Sequence, residues 1–242
     1  MKNKILIFTG AGISAESGVP TFRTGPDGLW YNHKVEDVAT YEGWKKDREK
    51  VLNFYNERRK QLKNVEPNIA HKIVAELEKE FQVTVVTQNV DNLHERAGSS
   101  VVIHLHGELT KSQSSLDSSI VYDCDEDIKI GDKCERGSQL RPHITWFGED
   151  LDWSKIRQAE KAAKEADVCI IIGTSMQVAP ANLIPFSTPD NCLIYYVDPG
   201  EVDFYLPKMR LVFFYHIRES ASTGIQKVKE ELENIYNIKS NI

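Results

Sequence analysis

The chain has 242 residues, 36 acidic and 30 basic, with a formal net charge of −6 and 40% hydrophobic content. That supports one large core or a core with a smaller insert, and the acidic balance speaks against a non-specific nucleic-acid binder. No run approaches the roughly 18 apolar residues of a membrane span, no secretory cleavage pattern opens the chain, and four scattered cysteines make no disulfide framework, so the expectation is a cytoplasmic monomer bound to neither membrane nor nucleic acid.

The first predicted element is the strand "KILIFTG" (4–10), a β-branched apolar run closed by glycine. Gly10, Gly12 and Ala15 follow as G-x-G-x-x-[GA], small residues that let the backbone turn tightly and approach a pyrophosphate beside a helix N-terminus. A mere tight turn is the plainer alternative. Residues 25–72 are polar and aromatic, with a helix around 48–63 and no readable strand. Within it Val51, Tyr55, Arg58 and Leu62 recur at i, i+4, i+7 and i+11 and share one stripe. Arg58 stands where a hydrophobe is expected; the plain account is an arginine whose stem covers the core while its head reaches water. Arg58, Arg59 and Lys60 together read as a solvated helix face.

A helical pattern at "AHKIVAELEKE" (70–80) leads to a second strand, "VTVVTQN" (83–89). Gln88, Asn89, Asp91 and Asn92 crowd its carboxyl end, the edge where open α/β sheets bind ligands. Such groups suit a carboxamide like that of nicotinamide; a helix cap explains one of them but not the cluster. "VVIHLHG" (101–107) is a third strand with His104 and His106 two apart on one face. No third ligand completes a metal site, and beside a nucleotide site His106, where the strand opens, suits a general base.

Residues 108–140 read as mostly loop, followed by a helix at "SKIRQAEKAAKEA" (154–166) and the strands "VCIIIGTS" (168–175) and "LIYYVD" (193–198). The alternation predicts a doubly wound parallel α/β, Rossmann-like sheet. No strand ending in an acid follows the glycine loop at the usual spacing of about 20 residues. Asp198, 25 residues after Gly173, is a substitute placed to accept from a ribose, or an ordinary strand-end cap. The expected division is a Rossmann-like NAD-binding domain from 1–30, 73–107 and 141–242, with a smaller helical and loop domain from 31–72 and 108–140.

"GAGISAESGVPTFR", "TQNVDNLHERAG", "HLHGEL", "RPHITWFGE" and "GTSMQVAPA", in that order across about residues 5–222, resemble the sirtuin family of NAD-dependent protein deacylases. The resemblance implies an acyl-lysine in a tunnel between the two domains. Its amide oxygen attacks the nicotinamide ribose, nicotinamide departs, and the acyl group ends on ADP-ribose. It makes His106 the general base, with Asn89 also catalytic, and sets Gln88, Asn89 and Asp91 at the nicotinamide end. Gly10, Ala11, Gly12, Ser14, Phe22 and Arg23 would line the cofactor pocket. Gly173, Thr174 and Ser175 would meet the adenosine side, with Asp198 and Ala221. "TWFGE" and "QVAPA" would flank an extended substrate as augmenting strands, through Ile144, Phe147, Gly148, Glu149 and Val178.

Tyr55-x-x-Arg58 with Ala39 resembles the bacterial class III subgroup that removes negatively charged acyl groups. A guanidinium takes a carboxylate in a bidentate pair, the tyrosine hydroxyl adds a donor, and a small Ala39 leaves room for a longer chain. The implied activity is desuccinylation or demalonylation alongside deacetylation.

Two departures stand out. The family's structural zinc needs four thiolates, but the matching positions hold Ser114, Asp117, Cys134 and Gly137, with Cys124 out of register. The expectation is no structural zinc and a 108–140 segment held by packing. Tyr196 stands where the family commonly has a ribose-binding asparagine. A mono-ADP-ribosyltransferase and a catalytically silent NAD-binding module are the competing readings; intact His106 and the acyl-lysine tunnel implied by the resemblance weigh against the first, and intact His106, Asn89 and Asp91 against the second. A dehydrogenase is disfavoured because no second dinucleotide half follows the glycine loop.

Overall fold

A computed structural model describes residues 2–21, 34–204 and 213–237. Among these residues the main sheet has six strands: β1 (Lys4–Thr9), β2 (Gln82–Thr87), β3 (Val102–His104), β7 (Val168–Ile172), β8 (Leu193–Val197) and β9 (Phe214–Ile217). Their order is β3-β2-β1-β7-β8-β9 and every pairing is parallel, as the strand–helix alternation predicts. The winding reverses beside β1, between β2 on one side and β7 on the other, the kind of switch point at whose carboxyl side open α/β sheets bind ligands.

Alternation along β1 divides the core. Ile5 and Ile7 face one layer, with α5 (Ile69–Glu76) and α8 (Ala221–Ile235), while Leu6 and Phe8 face the other, with α7 (Trp153–Lys164). All of β7 is buried, and each such Ile or Val contributes about 1.5–3 kcal/mol by leaving water. Helix starts are set by side chains. Asn68 accepts from the Ala70 and His71 amides, Asp152 from Ser154, and Asp47 from Lys50 at the head of α4 (Arg48–Lys63). β9 was not among the predicted strands: it is a four-residue edge strand, FYHI, with no fully buried residue, so it lacks the continuous apolar run of the inner strands. No helix among the described residues is long and apolar enough to cross a membrane.

A smaller lobe sits apart with its own core of Val38, Trp44, Val51, Tyr55, Leu109 and Trp146, among others. α2 (Val35–Val38), α3 (Tyr41–Lys46) and α4 form one half of it. The other half corrects the loop-like reading of 108–140. β4 (Gly107–Ser114), β5 (Val121–Asp123) and β6 (Leu140–Ile144) make an antiparallel sheet in the order β5-β4-β6. It runs slightly past the expected 108–140 limits at both ends. The strands escape notice because their sequences, "GELTKSQS" and "LRPHI", are polar and, in β6, contain proline.

Arg59 also departs from the solvated-face reading. It is only 2% exposed; its Nε donates to the Leu109 carbonyl (3.0 Å) and its guanidinium to Asn56 Oδ1 (2.8 Å). Asn56 in turn bonds both the amide and the carbonyl of Ile128. One turn of α4 is thereby fastened to the small sheet by polar groups.

Candidate active site

The carboxyl ends of β1 and β7 touch. The Gly12 amide donates to the Gly173 carbonyl (2.8 Å), and a Cβ on Gly12 would lie 2.6 Å from Gly173 Cα. Gly173 has φ +62° and its own Cβ would meet the Ile13 nitrogen at 2.4 Å. The glycines are therefore required by loop-on-loop packing, a demand the motif alone does not reveal. The helix they start, α1 (Gly12–Ala15), is a single turn with Ala11 at its N-cap, shorter than the pyrophosphate-binding reading assumes.

Ser14, on α1, faces inward as a hub. Its hydroxyl donates to Asp91 Oδ2 (2.9 Å) and accepts from Asn89 Nδ2 (3.2 Å). Asn89 Nδ2 also donates to the Gly10 carbonyl (3.1 Å), which fixes which end of the amide points inward. Asp91 Oδ1 accepts from the amide of Leu93 (3.2 Å), the first residue of α6 (Leu93–Ala97), whose N-cap Asn92 makes no side-chain cap bond. The turn into α6 thus takes one Asp91 oxygen and Ser14 the other. Burial pushes the Asp91 carboxyl up from its ordinary range despite these donors. Gln88 Nε2 reaches across β1 to Thr174 Oγ1 (3.0 Å).

His106 is not on a strand but in the turn between β3 and β4, where Gly107 at φ +88° sharply redirects the chain. Its Nδ1 faces the Gln88 carbonyl at 3.0 Å, so Nδ1 carries the proton and Nε2 keeps a lone pair. Burial lowers its pKa, which keeps the ring neutral at pH 7. His104 differs. Its Nδ1 meets the Asn89 carbonyl (3.0 Å) and its Nε2 meets Glu95 Oε1 (2.7 Å), so both nitrogens must donate. Burial, the largest influence, disfavours that cation, but Glu95, the Asn89 carbonyl and Glu108 together outweigh it and the pKa is raised. Neighbouring histidines thus hold neighbouring carbonyls with pKa values moved in opposite directions.

Beneath them lie two histidines that the sequence reading did not single out. His71 and His94 rings stand 5.0 Å apart, with His94 Nε2 on Thr9 Oγ1 (3.1 Å) and His71 Nδ1 near Asn68 Oδ1 (3.2 Å). Burial holds His71 down to about 4 and His94 well below its ordinary value. The available signal was their place on apolar faces, His71 one turn before Val74.

On the adenosine side, Asp198 Oδ1 accepts from the Gly200 amide (2.8 Å), the strand-end cap considered above. Tyr196 is buried and its hydroxyl donates to the Thr174 carbonyl (3.1 Å). It braces the Thr174 loop from within the core. Ser175 is exposed, and Ala221 opens α8, whose Ser222 amide is held by Glu16 (3.3 Å). Phe22 and Arg23 lie outside the described residues.

The expected substrate-flanking residues divide. Phe147, Gly148 and Val178 are exposed, whereas Ile144 is in the small-lobe core. Glu149 turns inward: it takes Arg141 with both oxygens (2.6 and 2.8 Å) and accepts from the Trp146 amide (2.9 Å). The Phe147 amide donates to the Ala39 carbonyl (2.9 Å), docking the segment on the helices. Tyr55 is buried, and its hydroxyl accepts from Trp146 Nε1 (3.0 Å). Arg58 is half-buried over the Phe54 ring, with its head 3.5 Å from the exposed Glu57 and its buried Nε unpartnered among the described residues. Burial lowers its pKa.

At the zinc-module positions Ser138, not Gly137, supplies the inward group. Ser114 and Ser138 hydroxyls are 2.6 Å apart and Cys134 Sγ lies 3.0 Å from Ser138 Oγ. The Asp117 carboxylate is taken by Arg136 and Ser119. One thiol and two hydroxyls do not fit a four-thiolate zinc. The segment is held by hydrogen bonds as well as by the expected packing.

The Sir2 family model matches residues 10–180. An NAD-dependent protein deacylase of Helicobacter pylori is 51% identical over 96% of this chain and 98% of its own length. One from Bacteroides thetaiotaomicron is 48% identical over 96% and 98%. Among solved structures, a Sir2 homologue in complex with ADP-ribose superposes with a TM-score of 0.87 at 36% identity, covering 99% of this chain and 96% of that one. A Sir2 homologue–NAD complex gives 0.84 at 36% identity, over 97% and 91%. Matched by the family model over most of its length and by these relatives almost end to end, the chain belongs to the Sir2 family.

Proposed function

We propose that the chain is an NAD-dependent protein-lysine deacylase that transfers the acyl group to ADP-ribose and releases nicotinamide, and that its acyl pocket accepts succinyl and malonyl groups as well as acetyl. The relatives named above are NAD-dependent protein deacylases. One solved relative, at TM-score 0.79 and 29% identity, holds a deacetylated peptide with an acetylated ADP-ribose. The single observation that carries the catalytic assignment is His106, whose Nδ1 is committed to the Gln88 carbonyl.

The donor set suits the dinucleotide. NAD supplies a glycosidic bond whose cleavage leaves an electrophilic ribose. Gln88, Asn89 and Asp91 would hold its nicotinamide end, and Gly10, Ala11, Gly12 and Ser14 the middle. Gly173, Thr174, Ser175, Asp198 and Ala221 would take the adenosine side. His106 accepts a proton at Nε2; because burial lowers its pKa, the base form is the populated one at neutral pH. Asn89 is locked by Gly10 and Ser14 so that its Oδ1 is the end turned outward. Arg58 supplies the acid-recognising charge, with the unmet donor Nε as its mark. Tyr55, its hydroxyl pKa raised by burial, remains a neutral donor.

Nicotinamide release from NAD should be followed by chromatography with three versions of one peptide: unmodified, acetyl-lysine and succinyl-lysine. Release with both acylated peptides and not with the unmodified one is expected. Release independent of acylation would replace this reading with NAD hydrolysis or ADP-ribosylation, and release with acetyl alone would remove the acidic-acyl assignment.

A further inference from the structure

The Tyr55 hydroxyl has one proton to give and two lone pairs. Trp146 is a donor only, and its indole nitrogen sits 3.0 Å from the Tyr55 oxygen with both rings buried. A phenol proton lies in the ring plane in one of two positions. A donor arriving at one of them leaves the proton in the other. Among the described residues nothing accepts that proton, because Trp146 is the only hydrogen-bonding partner of the hydroxyl. Arg58, three residues on along α4, has its buried Nε equally unmet.

The indole cannot turn to release the hydroxyl. The Arg141 guanidinium lies 3.4 Å over its ring, Trp44 packs at 5.7 Å, and its own amide is held by Glu149. Arg141 is itself fixed by both Glu149 oxygens and by the Ile144 carbonyl (2.7 Å). A relay from Glu149 through Arg141 and Trp146 therefore ends at the Tyr55 oxygen.

We infer that Trp146 is a positioning residue for acyl selectivity: its indole N–H fixes the Tyr55 hydroxyl so that the phenolic proton is presented, together with Arg58, to the carboxylate of an acidic acyl group. This rests on the reading of Tyr55 and Arg58 as the acid-binding pair. It goes further in making Glu149, Arg141 and Trp146, inward-facing residues of the substrate-flanking segment and of β6, the support of that pair.

The test uses the full chain with Trp146→Phe, Tyr55→Phe and the double variant, assayed for kcat and KM on one peptide carrying succinyl- or acetyl-lysine. The ratio of succinyl to acetyl kcat/KM should fall about 5-fold for Trp146→Phe, the equivalent of one ordinary hydrogen bond, chiefly through the succinyl KM. Tyr55→Phe should lower the ratio at least as much, and the double variant no further than Tyr55→Phe alone, because Trp146 acts through that hydroxyl. Benzothienylalanine at position 146 replaces the N–H by sulfur without changing the ring's shape, and should reproduce the shift even where Trp146→Phe folds poorly. Equal losses on both acyl groups, or ratio changes that add in the double variant, would overturn the inference while leaving the Arg58 reading intact. A wild-type chain with no succinyl activity would overturn both.

Discussion

At the carboxyl edge of the six-stranded sheet, Ser14, Asn89 and Asp91 bond one another and the backbone of the adjoining turns. His104 and His106 are pinned on the neighbouring carbonyls of Asn89 and Gln88. The small lobe holds Tyr55 differently. There the hydroxyl is reached through side chains, Trp146, Arg141 and Glu149 in turn, while Arg58 lies over Phe54 beside Glu57. A main-chain anchor cannot be exchanged without moving a strand end, whereas a side-chain relay can be rewritten one residue at a time. On the proposed function the reaction geometry would be built where substitution is costly and the acyl preference where it is cheap, so catalysis and acyl choice would be separable properties of one molecule.

The largest expected effect is at the sheet edge. His106→Ala should reduce NAD-dependent deacylation about 10²- to 10⁴-fold on acetyl and succinyl peptides alike, with the thermal midpoint little changed. A loss confined to one acyl group would break the separation between the two regions. The small lobe supplies the counterpart. Arg58→Met should cut desuccinylation about 10- to 100-fold, the worth of charge-assisted hydrogen bonds, and deacetylation far less. Equal losses would make Arg58 a structural residue.

Acid sharpens the comparison further. For His71, folding depresses the pKa to about 4 from an ordinary 6.5, and for His143 likewise. Between those values the unfolded chain binds more protons, so each contributes stability that is fully present above about 6.5 and lost as pH falls toward about 4. His94 acts in the same direction, and His104, with its raised pKa, in the opposite one. Melting temperature should therefore fall on acidification through this window. His71→Gln should make the decline shallower, and an unchanged slope would mean that the ring is already hydrated.

The smallest effects are expected at the zinc-module remnant. Ser138→Ala removes the hydroxyl that joins Ser114 to Cys134 and should cost about 1 kcal/mol in urea unfolding. A metal chelator should leave the wild-type melting temperature where it was. A drop of several degrees would show that a metal holds the lobe after all.

How much of this was legible in the sequence follows from the physics of each region. Buried parallel strands are continuous β-branched runs, so five of the six could be read directly, as could α4 and the residues crowding the end of β2. β9, a partly exposed edge strand with a histidine, does not match that pattern. The antiparallel sheet was hidden because its strands are polar and are held by partners far along the chain, such as Arg59 with Leu109. Glu149 looked like a substrate-facing acid because nothing local announces Arg141 as its partner. The zinc positions were read by cysteine spacing, which passes over Ser138, the residue that closes the cluster. His104 and His106 could be picked out, but the opposite directions of their pKa shifts depend in part on Glu95, whose approach to His104 is a matter of tertiary structure.

The most direct test of the central claim is the mass of the nucleotide formed when the wild-type chain, NAD and a succinyl-lysine peptide are mixed. The account predicts ADP-ribose carrying the succinyl group, in step with free nicotinamide and unmodified lysine. Free succinate with no acylated nucleotide, or a peptide that keeps its succinyl group while NAD is consumed, would contradict it.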